Sequence, residues 1–285
     1  MPNTLLPTPE LTFEARNFAD SIEGVALRHV EDDPWSPGLH ANDRNRELDD
    51  ALEELGWPEL ATDWSLAPLV APAAERLGWV LVSVATIDRL LGAAPLVGDL
   101  VRHPIAGLPL ARPLGRGDGL ELELELYEAV HLEPTTYVDA FGVHRARGLR
   151  QVGSITGDQA AMRLHAWCAA ATGYLAGLAR GALEIAHEHV TSREAFGQSL
   201  SALDAVQQLL GEATMRATGM QLLLGLPASA SSLAYAAEAT NDVCATCQQV
   251  TGAIGYTMEF PLQRRYRRAS AISVWTQDWL ECLPA

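Results

Sequence analysis

Few residues in this chain have the types and spacing that chemistry needs. Cys244-Ala-Thr-Cys247 has a C-x-x-C spacing, but it falls inside an apolar helical stripe, with no second cysteine pair and no helix N-terminus to lower a thiol pKa. It therefore reads as two core cysteines. His187 and His189 are two residues apart and point to different sides of a helix, so no metal site is expected. Two segments stand apart: Arg193-Glu-Ala-Phe196-Gly197-Gln198, and Gln249-Val-Thr-Gly252-Ala-Ile-Gly255-Tyr256 running on to Phe260-Pro261-Leu262 and Tyr266-Arg267. An arginine beside a glycine that lets backbone come close suits an anion such as a pyrophosphate. Gln249, Gly252 and Gly255 place a side-chain amide and open backbone at a helix end. The cluster Arg264, Arg265, Arg267 and Arg268 marks local positive potential in an acidic chain. It either pairs with the chain's own acids or faces an anionic cofactor or an acidic partner surface.

The elements that must hold these segments follow from pattern. The chain has 285 residues, 48% of them hydrophobic, enough for a large core and too apolar for a disordered chain. Net charge is −16, which disfavours nucleic acid. All 20 basic residues are arginine, which excludes lysine Schiff-base chemistry and a P-loop lysine. Four cysteines make no disulfide framework. Neither a signal peptide nor a membrane span is apparent, so a soluble, cytoplasmic protein is expected.

Three zones are expected: a helical amino-terminal domain over 1–100, a reduced β domain over 101–155 and a four-helix bundle over 156–285. The fold class is thus mainly α with a small central β region. In the first zone, helices are predicted over Glu14–Val30, Asp43–Leu55 and Leu66–Leu91, the last starting nearer Pro72. In the second, the alternation of Leu120, Leu122, Leu124 and Leu126 with Glu121, Glu123 and Glu125 predicts a strand whose glutamates form a solvated edge or meet a basic partner. Tyr137–Val143 and Leu149–Ile155 are two further candidate strands. In the third, Thr156 and Gln159 fit a capping box. Leu164, Cys168, Ala171, Leu175, Leu178, Ala182 and Ile185 then mark a helix to about Ser192. Three more apolar stripes complete a bundle. Gly173, Gly177 and Gly181 permit close approach of a neighbouring helix, and assembly through the bundle zone into a dimer or tetramer is expected.

Taken together, the two segments resemble the acyl-CoA dehydrogenase family. Arg193, Phe196 and Gly197 match its R-x-x-F-G; Gln249, Gly252, Gly255 and Tyr256 match its Q-x-x-G-G-x-G-[YF]; Arg267 matches the basic stretch that follows. The resemblance covers about residues 165–278 and extends weakly to Glu53-Glu-Leu-Gly-Trp57 and Ala74-Glu75-Arg-Leu-Gly78. It implies an α domain, a β domain and a bundle in that order. It also implies that Arg193, Phe196, Gly197, Gln249 and Gly252 hold the pyrophosphate half of FAD, generally that of a neighbouring subunit.

Departures from the family are specific. The T-E-P-x-x-G-S-D and W-[IV]-T motifs over the flavin ring are missing from residues 95–155, and Glu59-Leu-Ala-Thr-Asp63-Trp64 stands where P-E-x-x-G-G belongs. Ala253 replaces a glycine, and Asp204 replaces a glutamine near the pyrophosphate. The family's catalytic glutamate aligns near Thr276, with Asp278 the nearest acid, and the alternative base position falls near Trp167. Two readings follow. In one, the chain is a subunit of a hetero-oligomeric acyl-CoA dehydrogenase, like bacterial members that act on steroid-derived acyl-CoAs, and a partner supplies the flavin-ring contacts and the base for FAD-dependent α,β-dehydrogenation. In the other, the fold has lost flavin and serves as a structural subunit or a non-redox enzyme, with Asp278, His165 and Glu281 as candidate acid/base groups.

Overall fold

The computed structural model describes residue 6 and residues 10–29, 42–102, 104–105, 107–116, 121–135 and 143–282. Helices α1 (Phe13–His29), α2 (Asn42–Glu54), α3 (Ala67–Val80) and the short α4 (Ala85–Asp88) come first. Five strands follow: β1 (Ala94–Val97), β2 (Leu100–Arg102), β3 (Leu110–Arg116), β4 (Glu121–Pro134) and β5 (Val143–Thr156). Helix α5 (Gly157–Ser192) opens the bundle. The tiny hairpin β6 (Glu194–Ala195) and β7 (Gln198–Ser199) leads to α6 (Asp204–Leu223), α7 (Ala230–Thr251) and α8 (Leu262–Cys282). The fold is mainly α with a small β region and a carboxy-terminal four-helix bundle, as the patterns imply.

The single helix expected over Leu66–Leu91 is broken. It starts at Ala67, because Pro68 sits in the first turn, where a missing N–H costs nothing. It stops at Val80, where Leu81 adopts a left-handed φ of 68°. Two arginines of α8 take the carbonyls freed there. Arg265 donates to the Gly78 and Trp79 carbonyls at 3.3 and 2.6 Å, and Arg268 to those of Leu81 and Val82 at 2.9 and 2.7 Å. Cationic groups at a helix C-terminus also oppose its dipole.

The strands close into a barrel of order β1-β2-β5-β4-β3, with β3 returning parallel to β1. Leu122, Leu124 and Leu126 of β4 turn to the main helical core. Tyr127, Ala129 and Leu149 instead pack with Ala94, Leu96, Val101, Leu110 and Ala146 in a smaller core. A bulge opposite Leu126/Tyr127 lets Ile155 and Leu149 of one strand serve different cores. The strand β4 lies between β3 and β5, so its glutamates do not form the expected edge. Glu125 accepts from the Tyr127 hydroxyl at 2.6 Å. The strand expected over 137–143 lies outside the described residues except for Val143, which opens β5.

Helix α5 is the central element, its apolar stripe buried from Leu164 to Val190. Its glycines serve α3. A Cβ at Gly173 would stand 2.1 Å from the Ala71 carbonyl oxygen, and one at Gly177 2.0 Å from that of Glu75. Gly181 is vacant for the Arg265 guanidinium, 2.3 Å from where its Cβ would be. The glycine stripe is therefore spent within the subunit and is not available for assembly. Thr156 occupies the N-cap of α5 but makes no capping hydrogen bond; the capping box in this bundle is Ser229 with Ser232, at the start of α7.

Candidate functional site

The two sequence segments meet at one end of the bundle. Helices α5 to α8 alternate in direction, so the C-termini of α5 and α7 lie at the same end. His189, one turn before Arg193, stacks edge-on against Phe260, just beyond the Gly252 segment, with ring centroids 5.6 Å apart. Burial, and then the Arg193 charge, hold the His189 imidazole below its ordinary pKa.

Arg193 ends α5, its backbone N–H bonded to the His189 carbonyl at 2.9 Å. The chain reverses through a two-residue turn. Phe196 (φ 54°) and Gly197 (φ 80°) are both left-handed, as a type I′ hairpin demands. A phenylalanine tolerates that conformation poorly, and Phe196 is 91% exposed, so no packing among the described residues compensates for it. Gly252 closes α7 at φ 70°, ψ −149°, a region open only to glycine, and a Cβ there would meet nothing within 4 Å. Gly255 is of another kind: a Cβ there would strike the Thr251 hydroxyl at 2.1 Å, so its role is packing. Among the described residues the Arg193 guanidinium and the exposed Gln249 amide have no hydrogen-bond partner. Ile254, Tyr256 and Met258 are exposed on the same segment. Asp204 is the first residue of α6, where an acid complements the helix dipole.

The positions where the resemblance puts a catalytic base are in the core. Trp167 and Thr276 are 2% and 1% exposed. The rings of Trp167 and Trp279 pack 4.6 Å apart. The Trp167 indole donates to Asp88 Oδ1 at 3.0 Å. Arg102 grips the same carboxylate through Nη2 at 2.5 Å and Nε at 3.2 Å, and its guanidinium lies 5.8 Å from the centre of the Trp275 ring. Burial pushes the Asp88 carboxyl up, against the opposing pull of Arg102. Sequence reasoning missed this cluster. Its one signal was an isolated acid amid the apolar run Val84–Leu91. The Asp278 and Glu281 side chains lie outside the described residues. His165 is on the other side of α5 from Trp167, edge-on to Trp64, and so joins no base site there.

The arginine cluster is used largely inside the fold. Arg265 and Arg268 cap α3, and burial lowers the Arg265 pKa to about 10. Arg267 donates to Gln263 Oε1 at 3.3 Å. Among the described residues, no group of three or more His, Cys, Asp or Glu could hold a metal ion, and no helix is long and apolar enough to cross a membrane. Cys244 and Cys247 are buried and free, with thiol pKa values pushed up by burial, that of Cys244 to about 12, so they are core residues.

The described residues offer donors for one half of FAD. The Arg193 guanidinium and the Gln249 amide are donors of the kind a pyrophosphate needs, and Gly252, its own N–H bonded to the Gln248 and Gln249 carbonyls, leaves space beside the backbone. For the ring half, the barrel interior holds its own apolar core, and the Trp167 and Trp279 rings pack on each other beside the Asp88–Arg102 pair.

Comparisons with known proteins agree with this architecture. Residues 156–276 match the family model "Acyl-CoA dehydrogenase, C-terminal domain". Probable acyl-CoA dehydrogenase FadE25 of Mycobacterium tuberculosis is 30% identical over 112 residues, which are 35% of this chain. The chain spans only 29% of that relative's length in this match. Among solved structures, the ChsE4-ChsE5 complex from Mycobacterium tuberculosis aligns with a TM-score of 0.68 at 17% identity, covering 93% of this chain and 94% of that one. A variant of the steroid ACAD Tcur3481-Tcur3483 aligns at 0.67 and 18% identity, covering 94% and 96%. The chain has the acyl-CoA dehydrogenase fold, and its residues 156–276 match that family's carboxy-terminal domain.

Proposed function

We propose that this chain is a subunit of a cytoplasmic, hetero-oligomeric acyl-CoA dehydrogenase, and that it contributes the pyrophosphate-binding end of an FAD site completed by a second acyl-CoA dehydrogenase-like chain. One observation carries the reading. Arg193 and Gln249 are presented outward at one bundle end with no partner among the described residues, while the base positions at Trp167 and Thr276 are buried in the core. When bound, FAD would take a hydride from the acyl-CoA thioester as a base removes the α-proton. In this chain Arg193 would make a charge-assisted contact to phosphate, Gln249 would donate its amide, and Gly252 would let the cofactor approach the backbone. Phe196, held out at its hairpin tip, would pack against the partner. Two of the structural neighbours are two-component assemblies, one described as a steroid ACAD, which favours a paired enzyme acting on a bulky steroid-derived acyl-CoA.

The experiment is co-expression with an acyl-CoA dehydrogenase-like chain encoded beside it. The expected result is a yellow complex with acyl-CoA oxidation, little or no FAD on the lone chain, and flavin release in Arg193→Ala. The Asp88–Arg102–Trp167 plug favours a second reading, a flavin-free structural subunit. A stable but colourless complex would establish that reading instead.

A further inference from the structure

At the opposite end of the bundle, a pocket of about 310 Å³ opens between the starts of α1, α3 and α5 and the loop joining α6 to α7. Its walls are mainly carbon: Leu11, Trp64, Pro68, Ala169, Leu224 and Pro227. Trp64 is fixed from outside, its indole donating to Asp158 at 3.0 Å, and the Thr12 hydroxyl oxygen accepts from the Ala15 N–H at 3.1 Å. His165 is different. Its half-buried imidazole stands edge-on to Trp64, with ring centroids 5.3 Å apart, and has no hydrogen-bond partner among the described residues. No arginine lines the pocket, and Glu10 does, so an anion is repelled. The volume is at the small end of the ~300–1,000 Å³ of ligand pockets, enough for one or two rings and far too little for a CoA ester. The walls are preformed, because α3 and α5 are locked backbone to backbone at Gly173 and Gly177.

We propose that this pocket binds a small, neutral, ring-bearing molecule with one hydroxyl or carbonyl group, its oxygen on the His165 imidazole and its hydrocarbon body against Trp64, Pro68 and Leu224. The site is independent of the flavin reading. It is tested by calorimetric titration of the full chain with 1-naphthol, with 1-naphthoate as the anionic control. Saturable one-to-one binding of 1-naphthol, at least tenfold tighter than that of 1-naphthoate, is expected. Ala228→Trp, which plugs the pocket from a loop, should abolish it, and His165→Phe should weaken it roughly fivefold, the loss of one hydrogen bond. No binding up to millimolar 1-naphthol, equal binding of 1-naphthoate, or binding indifferent to Ala228→Trp would each overturn the proposal. The readout needs no flavin and no partner, so a colourless chain leaves it intact.

Discussion

Asp88 and Arg102 show how a residue pair can matter without touching a substrate. Both are fully desolvated, and the carboxylate accepts three hydrogen bonds, two from Arg102 and one from Trp167. Removing one partner leaves a buried charge unpaired, which costs about 3–5 kcal/mol. Asp88→Ala should lower stability by that amount in urea denaturation. A double replacement of Asp88 and Arg102 by apolar residues should recover much of it, an outcome a catalytic role would not predict. His165 carries a different signature. Burial holds its pKa below the ordinary 6.5, so the unfolded chain binds the proton more readily than the folded one. Its share of stability is complete above pH 6.5 and is lost as pH falls below that value. His165→Phe should flatten the acid side of the stability profile in thermal melts at stepped pH.

Among the elements, α3 and α5 set the tolerance of the whole fold. Their backbones touch at Gly173 and Gly177, and α8 locks the end of α3 through Arg265 and Arg268. Gly177→Ala puts a methyl group 2.0 Å from a carbonyl oxygen that cannot retreat without moving α3. A loss of at least ~1–3 kcal/mol is expected in the denaturation midpoint. Gly211 has nothing within 4 Å of its would-be Cβ, so Gly211→Ala in α6 should instead gain stability, by up to ~1 kcal/mol.

For the whole molecule, the open question is what covers the Arg193 end. Phe196, Ile254, Tyr256 and Met258 are exposed there, Phe196 the most of any large apolar residue described. Phe196→Asn separates the chain's own needs from a partner's. Asparagine accepts a left-handed φ better than phenylalanine, so the lone chain should gain ~0.5–1 kcal/mol. Assembly with the partner chain, followed by light scattering, should weaken at least tenfold. If assembly is unchanged, Phe196 does not serve the interface. A strictly monomeric mass at micromolar concentration, with and without the partner chain, would remove the heteromer reading altogether.

Much of this was legible in the sequence because periodicity is local. The 4,3 spacing from Leu164 to Ile185 determined α5 and its buried stripe, since only one face of a helix can meet a core. Leu122, Leu124 and Leu126 determined a strand with a leucine face, and Arg193, Phe196, Gln249 and Gly252 identified the bundle end by type and order. Tertiary structure decided the rest, because it depends on residues far apart in the chain. Nothing near Leu81 announces a helix end; the break is stabilised by arginines of α8, nearly two hundred residues later. Gly173 and Gly177 read alike for intramolecular packing or assembly until α3 is seen lying on them. The Trp167 position became core only when Asp88 and Arg102, from two separate elements, were brought against it. His165 gained its pocket the same way, from helix starts and a loop that share no local pattern.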